Sequence, residues 1–73
     1  MRPDQRNLLR CVDARRIYDM ISEQGPVSSF DIGRELSDIP MGRRRGLMLK
    51  LHHVGLVERS SDNCHHSIWR VSE

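Results

Sequence analysis

The sequence predicts an α+β domain that is mostly helical, with three helices, one short strand and a C-terminal β-hairpin. Three observations carry that prediction. Apolar residues recur at helical spacing in three segments, and Gly or Pro stands where each segment should end. Strand formers gather near the C-terminus on either side of a polar turn. With 73 residues, 37% of them hydrophobic, the chain makes one domain with a thin core.

Residues 1–12 are expected to form an N-terminal helical extension or arm, and residues 13–73 the domain itself. Ala14, Ile17, Tyr18 and Ile21 follow the i, i+3, i+4, i+7 rule and predict a helix over 14–24, with Asp13 placed to cap it. Leu8 and Cys11 extend this stripe back toward Pro3. Gly25-Pro26 stops the helix, since Gly suits the position after a helix and Pro cannot continue one. Val27 follows as a short extended stub.

Ser28 and Asp31, three apart, approximate a capping box for a second helix over 29–37. Phe30, Ile32, Leu36 and Ile39 supply its apolar side. Pro40 disfavours helix at the residue before it and suits the first turn of a third helix over 40–54. Leu47, Leu51 and Val54 share one face of that helix, with Met48 beside them. Gly46 costs roughly 1 kcal/mol against Ala in mid-helix, and close backbone packing is the expected compensation. Gly55 ends the helix. Leu56, Val57, Ile68, Trp69 and Val71 predict a hairpin over 56–71 that turns at Ser61-Asp62-Asn63. A two-stranded hairpin is marginal alone, so Trp69 or Ile68 is expected to pack on the helices. Phe30, Tyr18 and Trp69 all read as core.

The formal net charge is only +2, but its distribution is uneven. Residues 39–57 hold Arg43, Arg44, Arg45 and Lys50 and no acidic residue, while the rest of the chain holds 8 basic and 10 acidic residues. A +4 segment therefore sits on a −2 body. Eleven of the twelve basic residues are Arg, whose planar fork pairs bidentately with phosphate or a guanine edge.

Other chemistries lack their signatures. No run approaches the ~18 apolar residues of a membrane span, so no membrane is expected. The opening MRPDQRNLLR is polar where the apolar region of a signal peptide would follow, and two cysteines are too few for a disulfide scaffold, so a cytoplasmic location is expected. Cys64, His65, His66, His52 and His53 are zinc-type ligands, yet no CxxC or HxxxH spacing occurs and neighbours on a strand point to opposite faces. No metal and no cofactor are implied. No phosphate-binding Gly loop, GxSxG or paired-carboxylate signature is present, and an enzyme is not expected.

Most of the chain, from Ala14 to Val71, resembles a winged helix-turn-helix DNA-binding domain. SSFDIGRELSDIP matches the second helix and turn, and RRRGLMLKLHHVGLVER the third helix running into the wing. The segment from Leu51 to Arg59, ending GLVER, is common in bacterial winged-helix regulators. In size and layout the chain is similar to the very small pilus-operon regulators; MarR-like and ArsR-like repressors share the pattern in longer chains. Two departures stand out. Arg43-Arg44-Arg45-Gly46 occupies the first turns of the third helix, where the family places an apolar residue that Met41 is left to supply. The wing tip SSDNCHH lacks the Arg or Lys that reaches a minor groove.

The resemblance implies a small bacterial or phage transcription regulator that binds double-stranded DNA with its third helix in the major groove. Arg43, Arg44 and Arg45 are the candidates for base contact. Successive residues turn about 100° on a helix, so all three cannot read bases together. Lys50, Ser28 and Ser29 are candidates for phosphate contact, and Arg59, His65 and His66 for wing contact. One such domain buries only about 600–1,000 Å² on DNA, so a homodimer or protein partner is expected, with residues 1–12 the candidate surface unless they pack on their own domain. The competing reading is a winged-helix module that binds a protein and has little or no DNA contact. RNA binding through the same helix has no supporting aromatic motif.

Overall fold

Residues 2–60 and 67–72 are described by the computed structural model. Four helices, two short and two of 13 residues, pack beside a small antiparallel sheet. Helix α1 (Pro3–Leu9) opens on a proline, and the Gln5 Oε1 accepts a hydrogen bond from the Arg2 backbone N–H at 3.1 Å. Helix α2 (Val12–Gln24) follows almost at once and buries Ala14, Ile17, Met20 and Ile21 along one side. It ends at Gly25, whose φ of 75° is open to glycine and strained for other residues. Strand β1 (Val27–Ser28) leads into α3 (Ser29–Glu35), where the Ser28 hydroxyl oxygen accepts from the Asp31 N–H at 3.1 Å. Helix α4 (Met41–His53) starts after Pro40, and strands β2 (Val57–Ser60) and β3 (Ile68–Val71) complete the chain.

The strand order is β1-β3-β2. Val27 lies opposite Trp69 on one side of β3, and Arg59 lies opposite Trp69 on the other. The hairpin thus gains a third strand from the stub after α2, which offsets the marginal stability of two strands alone. One core forms where α2, α3, α4 and the sheet meet. Ile17, Ile21, Ile32, Ile39, Leu51 and Val57 are fully buried there, and Trp69 is 4% exposed. Two arginine–carboxylate contacts clamp the outside. The Arg16 guanidinium grips both oxygens of Asp38, at 2.6 and 3.1 Å, tying α2 to the turn after α3; Arg43 pairs with Asp13 at 2.8 Å, tying α4 to α2.

Several expectations need correction. Among the described residues there are four helices rather than three, because residues 3–9 form a helix of their own. Leu8, Leu9 and Cys11 pack against the core, and Gln5 and Arg2 both donate to the Val54 carbonyl at the end of α4. Residues 2–11 are therefore seated on their own domain, with Leu8, Leu9 and Cys11 half-buried, while Val12 is 72% exposed. The helix expected over 14–24 begins at residue 12. That expected over 29–37 stops at Glu35, since Leu36 leaves helical geometry (φ −115°, ψ 44°) so that Ile39 can turn inward. The helix expected over 40–54 spans 41–53, and the hairpin strands fill 57–60 and 68–71 of the range 56–71. The turn at 61–63 lies outside the described residues.

Phe30 is 58% exposed rather than core. Two residues turn a helix by about 200°, so Phe30 falls opposite Ile32, which takes the inward side with Leu36. Met41 is 74% exposed and supplies no core contact. Gly46 is not compensated by packing either: a Cβ placed there meets nothing within 4 Å.

Two predictions follow from this packing. Gly46→Ala should raise unfolding stability by about 0.5–1 kcal/mol, the helix-propensity difference alone, read by chemical denaturation. The hydrogen bonds from Arg16 hold the Asp38 carboxyl below the ordinary carboxylate range. A lowered folded-state pKa gives stability that is present above the unfolded value, about 4, and lost as pH falls through the folded value. Asp38→Asn should remove that part of the acid sensitivity, seen as a flatter Tm against pH below about pH 4.

Candidate functional site

The Arg-Arg-Arg run diverges as the helical twist requires. Arg43 reaches α2, where its Nε donates to Asp13 and its Nη2 approaches the Cys11 Sγ at 3.6 Å. Arg44, half-buried, turns under the α3–α4 connection and donates from Nη1 to the carbonyls of Ile39 at 2.8 Å and Leu36 at 3.5 Å. Gly33 makes room for it, since a Cβ there would lie 3.1 Å from Nη2. Arg45 is exposed and makes no hydrogen bond or ion pair among the described residues. Lys50 is likewise exposed, one turn further along α4.

Arg44 and Arg45 open onto a groove of about 680 Å³ between α3, α4 and the β2–β3 sheet. Arg34 of α3 and Arg59 of β2 line its other walls, with Phe30, Met41, Leu49 and Trp69 between them. The Arg34 guanidinium sits 6.0 Å from the centre of the Phe30 ring, and that of Arg59 sits 5.8 Å from the Trp69 ring. Arg59 also donates from Nε to the Ser67 hydroxyl at 2.9 Å. Trp69 in turn donates from its indole N–H to the Ser29 hydroxyl at 2.8 Å.

The electrostatics of this groove are one-sided. Among the described residues four arginines line it and no Asp or Glu does. Arg2, Arg15, Arg16, Arg43 and Arg70 pair with carboxylates, and all five lie elsewhere. None of the four groove arginines forms an ion pair with a carboxylate among the described residues.

The structure sorts the sequence-based candidates. Arg44, Arg45, Arg59 and Ser29 come together at the groove, and Lys50 lies on the same helix outside it. Arg43 lies outside the groove, with its Nε on Asp13. The Ser28 hydroxyl caps α3, and that of Ser29 accepts from Trp69 and donates to the Ser67 carbonyl at 3.3 Å, so both are engaged within the fold. His65 and His66 lie outside the described residues. Sequence reasoning missed Arg34, Phe30, Met41 and Leu49 as groove residues. The signal for the first pair was their i, i+4 spacing, which stacks Arg34 on Phe30 on the outer side of α3.

No protein-family model, curated protein or solved structure matches this chain. Among the described residues no helix is long and apolar enough to cross a membrane.

The two groove arginines of α4 should respond differently to truncation. Arg44→Ala leaves the Ile39 and Leu36 carbonyls without their donor and should lower stability by about 1–2 kcal/mol. Arg45→Ala should change stability by less than about 0.5 kcal/mol, as expected of an exposed side chain without a partner. Urea denaturation of the two variants checks this.

Proposed function

We propose that this chain is a DNA-binding regulator of winged helix-turn-helix type, with α4 in the major groove and the β2–β3 hairpin as its wing. One observation carries the reading: a groove walled by Arg34, Arg44, Arg45 and Arg59, with no carboxylate lining it among the described residues. A concave positive surface beside an exposed helix suits a polyanion, and double-stranded DNA presents charge at the required density. The order of elements supports the same reading, with a two-helix unit α3–α4 followed directly by a hairpin.

Within this proposal Arg45 is the base-reading arginine, because it alone of the run is unpaired among the described residues. Arg34, Arg59 and Lys50 flank it and contact phosphates. Arg44 shapes the α3–α4 turn that aims the helix. The cytoplasm, where DNA is accessible in a bacterium, is the corresponding location.

The competing reading as a protein-binding module draws on a specific observation, the exposure of Phe30, Met41 and Leu49 on the same face. Salt dependence separates the two. Phosphate contacts from Arg34, Arg59 and Lys50 predict that log Kobs falls against log salt with a slope of about −3 on random duplex DNA. Lys50→Ala should weaken all sequences alike and reduce that slope by about 1. A slope near zero refutes the DNA reading.

A further inference from the structure

One stripe of α4 is left uncovered by the packing of the domain. Met41, Arg45 and Leu49 follow each other at i, i+4 and i+8, so they rise along one side of the helix over about 12 Å. Met41 is 74% exposed, Leu49 is 45% exposed, and all three residues open onto the arginine-lined groove. The core has no use for them, because α4 turns Leu47, Met48 and Leu51 inward. Two large apolar side chains thus stand in water, one turn to either side of an arginine that has no partner among the described residues.

We infer that this stripe reads a guanine flanked by A·T pairs, with Arg45 on the guanine and Met41 and Leu49 on the thymine 5-methyl groups. The inference rests on the DNA reading above and gives it a sequence class. In the major groove, guanine offers two adjacent acceptors that fit the arginine fork, and thymine alone among the four bases offers a methyl group. The length of the stripe matches the target: about 12 Å along α4 corresponds to roughly three to four base-pair steps of about 3.4 Å. The order of the side chains also favours DNA over an acidic amphipathic peptide. A docked peptide is met by an apolar centre with charges at the rim. Along the α4 stripe the order is reversed, with Arg45 between Met41 and Leu49, and the cations on the other walls, Arg34 and Arg59, suit phosphates.

The test begins with selection of bound duplexes from a random pool, followed by base analogues in the selected site. Selected duplexes should carry a guanine with an A·T pair within about two base pairs on each side. Replacing thymine by uracil in that site removes the methyl groups and nothing else; affinity should fall about fourfold per buried methyl group. Replacing the guanine by 7-deazaguanine removes one acceptor and should lower affinity about tenfold. Met41→Gln and Leu49→Gln alter exposed side chains and keep good helix formers, so the domain stays folded; each should narrow the thymine–uracil difference, and the double variant should abolish it. Equal affinity for thymine and uracil duplexes overturns this inference while leaving DNA binding intact. Failure to bind any duplex at low salt overturns the DNA reading and this inference with it.

Discussion

The indole of Trp69 stands at the junction of every element that forms the basic groove. Its position on the central strand places it opposite both Val27 and Arg59, so one side chain anchors β1 and β2 at once. Its N–H bonds to the Ser29 hydroxyl at the start of α3, and the His52 ring of α4 meets it edge-on with centroids 6.2 Å apart. The Arg59 guanidinium lies near its face. Burying so large a ring in a thin core is the main apolar contribution of the hairpin.

The same constraint explains why the helices divide their labour. Helix α4 needs Leu47, Met48 and Leu51 for the core, which leaves its remaining arc to polar and exposed side chains. Three consecutive arginines on such a helix must separate by the helical twist. Asp13 takes one and the α3–α4 turn carbonyls take another, so the third faces outward alone. A run that reads as one basic block in the chain becomes a clamp, a brace and a free cation in space. Acidic residues matter as much as basic ones here, because Asp13, Asp38 and Glu58 draw Arg43, Arg16 and Arg70 away from the groove.

Much of the architecture was legible because its signals are local. Gly25, Pro40 and Gly55 punctuate the chain, Ser28 caps the helix that follows it, and the strand formers around Val57 and Trp69 mark the hairpin. The misreadings share one physical cause. Residue type and local position point Phe30, Met41 and Gly46 toward packed surroundings, yet whether a residue is covered depends on which elements lie across from it. Phe30 belongs to a helix of seven residues whose inward side is already filled by Ile32, and nothing lies over Gly46. The N-terminal helix was open to two readings for the same reason, and contacts across more than 45 residues, from Gln5 and Arg2 to Val54, decided it.

The sequence by itself determined an α+β domain, the order of its elements from α2 onward, and a +4 segment carried on a −2 body. These depend on backbone preference, periodicity and composition, which act over a few residues. Tertiary structure alone decided which arginines are neutralised, that Arg34 and Arg59 join Arg44 and Arg45 around one groove, and that Met41 and Leu49 stand exposed beside Arg45. Charge pairing and exposure depend on distances between residues far apart in the chain, and only the packed core around Trp69 sets those distances.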